Sequence, residues 1–461
     1  MFNIPDRRRM RFAFLLFFLI SSARADALDD AIERELARRH VPGAAVVVLQ
    51  DGKIVRERAY GLANVEHGVP VTAQTMFQSG SVGKTFTAAL ILLLAQDGKL
   101  RLDDPVSRHL PEAPRAWDGI TIRHLLTHTA GLGDPYQAID LRKDYSDAEL
   151  IALEAKLPVL SAPGARFSYS NAGYHLLGFI ATRVGAKPWH EQLRERIFAP
   201  LGMTARVISE ADIVPHRAAG YEWSDGQLRN QSWVAPSLNA TADGALYLTA
   251  RDLALWDGAL RGDHILNAAP RAASWTPPAL ADGGTSPYGY GWYVGAQNGH
   301  RTILHGGAWQ GFKSLMTRYV DDGMTVIVLA NGAGARTGKI GDLVAAHYVP
   351  ALAPVRAKAI ADTDPAVTAR AREAMARLAG GQAPAGLSAK EAQRYTSRWI
   401  GIVAAEIGNA GPLQAVELLE RRDEGLLRIS RLRFRYRDET MIVSMTLAAD
   451  NAIDLLAIGL E

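Results

Sequence analysis

The chain has 461 residues, and about two or three domains is the expectation from length alone. Hydrophobic residues make up 48% of it, with 42 glycines and 22 prolines near average usage, which excludes disordered and fibrous classes. It has no cysteine, so disulfide frameworks, thiolate catalysis and cysteine-based metal sites are excluded, and a formal net charge of +3 gives no strong electrostatic bias.

The first 25 residues read as a signal peptide. Arg7, Arg8, Arg9 and Arg11 form a charged n-region, and Phe12 to Ile20 is an apolar stretch too short to span a bilayer comfortably. Ala23-Arg24-Ala25 places small residues at the two positions read by a signal peptidase, with cleavage expected before Asp26. A single-pass anchor is the alternative. The segment holds five basic residues and one acid, so removing its surplus of four from +3 leaves a mature chain near −1. No basic stripe remains for nucleic acid. The expectation is export to the periplasm or the medium, without stable membrane insertion after cleavage.

Gly43 to Leu49 is a β-branched apolar run, and Asp51-Gly52 predicts a hairpin to a return strand over Lys53 to Tyr60. From Ser81 the chain is apolar on nearly every face up to Asp97-Gly98, which predicts a helix buried in the middle of a domain. Residues from about Pro105 to Leu201 read as helices with long loops. Ile303-Leu304, Ser314 to Arg318 and Met324 to Leu329 read as strands, with a turn at Asp321-Asp322-Gly323, and a helix near Lys339 to Tyr348 closes the domain. Strands, a helical middle and strands again predict one antiparallel sheet with a helical insertion. Residues 351–365 form a Pro/Ala-rich linker. Beyond it, helices over Ala366 to Leu378 and Ser388 to Ile400, and strands over Leu413 to Leu419, Leu426 to Tyr436 and Met441 to Leu447, predict a small α+β accessory domain over 366–461.

Three short motifs carry chemistry. Ser81 and Lys84 are spaced i and i+3 at a helix start, so they share a face and the amine can reach the hydroxyl. A serine needs such a base, and burial would favour the neutral amine. Tyr169 and Asn171 follow in Tyr169-Ser170-Asn171; a phenol beside a lysine ammonium can have a lowered pKa and relay protons, and Asn171 offers a donor and an acceptor. His305-Gly306-Gly307-Ala308 lies at or near a strand end, where glycine lets a substrate approach the backbone and a free N–H can join that of Ser81 in an oxyanion hole. His124 and His128 are spaced like a metal pair, and Asp252 reads as a capping-box acid. Trp309 and Gln310 are candidates for shaping the pocket.

In this order, at separations of roughly 90 and 135 residues, the motifs resemble those of the serine β-lactamase and penicillin-recognising hydrolase superfamily, class C-like branch. Leu102-Asp103-Asp104-Pro105, Ile122 to Leu132 and Tyr288-Gly289-Tyr290-Gly291-Trp292 extend the likeness, which covers about residues 30 to 350. It implies an α+β fold, with an antiparallel sheet flanked by helices and a large helical subdomain in a hydrolase domain over 26–350. It implies Ser81 as the nucleophile that forms an acyl-enzyme, with Lys84 and Tyr169 sharing its proton. Asn171 would orient substrate, Ser81 and Ala308 N–H would hold the oxyanion beside Gly307, and His305 would face a substrate carboxylate or Tyr169. No metal or cofactor is implied, and the helix carrying His124 is structural. The departure is His305, where the β-lactamases proper usually carry lysine. The expected substrate is a small ester, an amide or a short peptide containing a D-amino acid. A β-lactamase, or a slowly acylating penicillin-binding sensor without turnover, is the alternative.

Overall fold

The computed structural model describes residues 27–208, 212–281, 283–392 and 394–460. The signal segment therefore lies outside the described residues. The chain divides into two compact units, one ending at Pro354 and one beginning at Val355.

The first unit is built on a sheet. Its strands in chain order are β1 (Gly43–Gln50), β2 (Lys53–Asn64) and β3 (Val69–Pro70), then the short pieces β4 (Phe77–Gln78), β5 (Tyr221–Ser224), β6 (Gln227–Asn230) and β7 (Tyr247–Leu248), then β8 (Tyr293–Gln297), β9 (His300–Trp309), β10 (Phe312–Tyr319) and β11 (Met324–Ala330). Seven of them form one antiparallel sheet in the order β3-β2-β1-β11-β10-β9-β8. Asp51 and Gly52 both have positive φ, 50° and 78°, as a two-residue hairpin turn with the right twist demands. β8 carries too little apolar alternation to stand out in the sequence; its Tyr293–Gln297 residues are partly or fully exposed.

Side-chain alternation splits the centre of the sheet between two cores. Val46 and Val48 of β1, with Val326 and Val328 of β11, face residues 27–38 and the helix Thr337–Tyr348 through Ile32, Ile340 and Val344. Val47, Leu49, Ile327 and Leu329 face the opposite way, into the larger core that holds Phe86, Leu90 and Leu94. Those three belong to the helix Lys84–Gln96, in which every residue from Lys84 to Leu94 is buried. A helix this apolar needs partners all round, and it finds them between the sheet and the helical part of the unit.

The second unit is an antiparallel meander of β12 (Leu413–Glu424), β13 (Leu427–Tyr436), β14 (Thr440–Leu447) and β15 (Ile453–Leu460). The helices Pro365–Ala379 and Ser397–Asn409 share its core, in which Met375, Leu378, Ile407, Leu432, Phe434 and Met445 are buried. The single helix predicted over Ser388 to Ile400 is in fact two pieces. Ala389–Ala392 is one turn, and Thr396 starts a new helix by accepting from Trp399 N–H. β15 has no counterpart in the sequence-based expectation.

Candidate active site

Ser81 lies in a 3-10 turn, Gly80–Gly83, that leads directly into the helix Lys84–Gln96. The sequence placed it on the helix itself; the structure puts it one turn earlier. Gly80 has φ of 49°, and a Cβ there would lie 2.5 Å from Ala308 N. A Cβ on Gly307 would lie 2.0 Å from Ser79 O and 3.0 Å from Ser81 N. Glycine at both positions thus lets β9 press its backbone against the serine turn. Ser314 Oγ of β10 donates to Ser79 O at 2.5 Å and fastens the same turn from the next strand.

Lys84 is fully buried and its Nζ donates to Ser81 Oγ at 3.2 Å, Asn171 Oδ1 at 2.7 Å and the Asp243 main-chain oxygen at 2.6 Å. Burial pulls its pKa from 10.5 down to about 8, against the opposing pull of the Asp243 and Asp134 carboxylates. Asn171 opens the helix Asn171–Gly185, and its Nδ2 donates to Asp134 Oδ2 at 2.8 Å. That bond fixes the amide so that its oxygen meets Lys84.

Tyr169 is half-buried, with the Lys84 ammonium 5.0 Å above its ring. Burial raises its pKa; a hydrogen bond with Ser81 opposes this, and the Asp243 and Asp134 charges add to the rise. The lowered phenol pKa expected from the lysine alone is therefore corrected, because desolvation and the Asp243 and Asp134 charges outweigh the hydrogen bond with Ser81 and the phenol stays protonated.

His305 faces Tyr169, with the ring centroids 6.3 Å apart. It is 1% exposed and does not line the cavity beside Ser81. Its Nδ1 meets Gly306 O at 2.7 Å, so that nitrogen carries the proton, and Nε2 accepts from the Tyr288 hydroxyl at 2.8 Å. Burial, then the nearby Lys84 charge, pushes the ring down to about 3. A neutral imidazole engaged at both nitrogens ties its own strand, β9, to Tyr288 and offers no cation to a substrate carboxylate.

The cavity over Ser81 measures about 120 Å³ and is lined by Gly80, Ser81, Asn171 and Ala308, together with Tyr136, Asp243 and Trp309. Trp309 is held by donation to Asn239 Oδ1 at 2.8 Å. Tyr136 and Asp243 were not singled out in the sequence; they lie in the segments 134–162 and 239–244, whose conformation the sequence does not dictate. Behind the cavity runs a buried polar row. Asp243 Oδ1 lies 3.2 Å from His175 Nε2, and His175 Nδ1 lies 2.6 Å from Glu154 Oε1. Tyr136 and Thr241 donate to the Asp243 carboxylate at 2.9 and 2.6 Å. Burial works against a charged His175, but Asp243 and Glu154 overcome it and raise its pKa to about 10. In return His175 and Lys84 hold Asp243 well below the usual carboxylate range against its own burial. Burial raises Glu154, opposed by His175.

His124 and His128 do not act as a pair. The helix ends at Leu126; His124 Nδ1 accepts from Thr121 N–H in a capping box, and His128 Nδ1 accepts from Ser170 N–H. Asp252 caps the helix Ala250–Arg261 by reciprocal bonds with Thr249.

Fold and site together define a serine hydrolase built on the β-lactamase/transpeptidase fold. The chain belongs to the Beta-lactamase family, whose model matches residues 28–349. Penicillin-binding protein 4* of Bacillus subtilis (strain 168) is 29% identical over 318 residues, which are 64% of this chain and 69% of that protein. The chain spans 62 to 69% of the length of the first curated relatives it matches. D-amino acid amidase from Ochrobactrum anthropi SV3, solved with L-phenylalanine amide, superimposes with a TM-score of 0.61 at 26% identity over 72% of this chain and 98% of that one. The octameric penicillin-binding protein homologue from Pyrococcus abyssi has a TM-score of 0.64 over 95% of this chain and 96% of its own; at 24% identity that is likeness of fold alone.

Proposed function

We propose that the protein hydrolyses small esters, amides or short peptides containing a D-amino acid through an acyl-enzyme on Ser81. The observation that carries this is the buried Lys84 amine, 3.2 Å from Ser81 Oγ and shifted down to about 8. At that value a useful fraction of the amine is neutral near pH 7 and can take the serine proton. Ser81 Oγ then attacks the substrate carbonyl, and the backbone N–H groups of Ser81 and Ala308 hold the oxyanion, commonly worth about 3 kcal/mol per donor. Tyr169, kept protonated, passes a proton to the leaving alcohol or amine and is replenished from Lys84. Asn171 orients the substrate from the cavity wall. Water, deprotonated by the same pair, releases the acid and restores Ser81.

The small cavity supports a compact acyl group, and the likeness to a D-amino acid amidase supports an amide or D-amino-acid substrate. The neutral His305 removes the cation that would hold a β-lactam carboxylate. Export to the periplasm or medium belongs to the same proposal and is supported by the charged and apolar run before Asp26.

Steady-state hydrolysis of a short-chain p-nitrophenyl ester by the chain from Asp26, beside Ser81→Ala, is the test. Turnover by the parent and its loss in the variant is the expected result. Equal turnover in both would remove Ser81 from the mechanism. Slow acylation without turnover, read as a mass increase after penicillin treatment, would favour a sensor.

A further inference from the structure

A second cavity lies at the end of β10 remote from the serine. Ser314 of β10 touches Ser79, while Arg318 sits four residues further along, roughly 13 Å at the usual strand rise. This cavity measures about 330 Å³ and is lined by Arg261, Arg271, Arg318 and Trp275, closed by Tyr319 and Gly323.

Arg318 is 7% exposed. Its Nε donates to Asp257 Oδ1 at 2.7 Å, and its guanidinium lies 5.0 Å over the Trp275 ring. Stacking uses the face of the guanidinium, whereas its hydrogen bonds lie in the plane. Beyond Nε, no group among the described residues accepts from the Arg318 Nη1 and Nη2 edge. Trp275 Nε1 is also buried without a hydrogen-bond partner. Buried donors are nearly always satisfied, so the unsatisfied Trp275 Nε1, beside an arginine edge with no protein acceptor, points to an acceptor that enters the cavity.

The charges agree. Asp257 is fully buried and serves two cations, Arg318 and Arg261, the latter at 2.7 Å, while also accepting from Thr325 at 2.8 Å. Arg271 donates to Gly262 O and to Asp263, whose side chain is mostly exposed. Three guanidiniums meet Asp257 and Asp263 here, and the Asp51 carboxylate lies beside Gly323 at the edge of the cavity. Burial lowers the Arg318 pKa, Asp257 opposes this, and repulsion from Arg261 and Arg271 adds to the lowering.

We propose that this cavity binds a small oxyanion, a carboxylate or phosphate group, in the plane of the Arg318 guanidinium beside Trp275 Nε1, with Arg271 as the second cation. The site is independent of the chemistry at Ser81. A planar fork with a neighbouring N–H suits two or three oxygens of one group, and Arg is well matched to such bidentate recognition.

Isothermal titration of the chain with inorganic phosphate, with acetate, and with chloride at matched ionic strength tests it. Arg271→Gln and Trp275→Phe are the variants, because both leave the Asp257 ion pairs intact; removing Arg318 would strand that carboxylate. Saturable binding of phosphate, of acetate or of both, absent with chloride, is expected, and whichever anion saturates names the class. Binding should weaken about tenfold in Arg271→Gln, since a charge-assisted hydrogen bond is lost, and also fall in Trp275→Phe. Ester turnover should be unchanged in both. Absence of saturation with either oxyanion, or equal affinity in parent and variants, would overturn the proposal.

Discussion

A lysine that serves as a base must be buried enough to shed its proton yet held firmly enough not to drift. Lys84 meets both conditions with three acceptors, Ser81 Oγ, Asn171 Oδ1 and Asp243 O, inside a fully desolvated site. Its neutral fraction grows as pH rises through about 8, so kcat/KM for a neutral ester should climb from pH 6 to 9 with a midpoint near 8. His305, held near 3, should add no limb near the ordinary histidine value. A profile governed by a single limb near 6.5 would count against both assignments. Ser81, Lys84, Tyr169 and Asn171 were legible because each pair is local in the chain. The engagement of His305 with Tyr288 and the rise in the Tyr169 pKa were not, since both follow from burial created by distant segments.

At the scale of elements, the site depends on strand β9 lying within contact of the serine turn. Gly307→Ala would drive a Cβ into Ser79 O and Ser81 N, backbone atoms that cannot swing aside. The expected outcome is a folded protein by circular dichroism with turnover down by at least about a hundredfold, the cost of an ångström-scale misplacement. Full turnover in this variant would mean that β9 does not set the geometry. The row Glu154, His175 and Asp243 fixes the opposite wall. His175→Asn leaves buried carboxylates without their cation, and urea unfolding at pH 7 should show a loss of about 3–5 kcal/mol. The folded pKa of His175 is raised, so its contribution is fully present below 6.5 and is lost as pH rises through about 10. The deficit of the variant should therefore shrink between pH 7 and 10.5, and a deficit that grew with pH would contradict the charged state. The hairpin at Asp51-Gly52 and the buried helix after Ser81 were readable from turn chemistry and apolar runs. Strand β8, the break at Thr396 and the row behind the cavity were not, because exposed edges, local caps and long-range ion pairs leave little periodic trace.

For the whole molecule, the division at Pro354 gives each unit its own core. Phe434 is fully buried in the second core, and Phe434→Ala should cost about 3–5 kcal/mol there. Calorimetry should show the loss in a transition separate from that of the first unit, with ester turnover kept below it. A single transition displaced as a whole, with turnover lost alongside, would show the units to be one cooperative body. The fourth strand of the accessory sheet was not legible in the sequence, since its alternation begins only after Asn451.

The centre of the large sheet is closed by its first and last long strands, with Ala44 opposite Ala330 and Val46 opposite Val328. A ribosome adding about 5–20 residues per second needs on the order of tens of seconds between making one partner and the other. During that interval the valines of β1 can pair only with β2, and neither core can be completed. Such high-separation pairing also makes the folding step itself slow. A chain of this topology stays open and threadable until almost the whole first unit has been synthesised. The export proposed above would have that interval in which to move an open chain before the sheet locks.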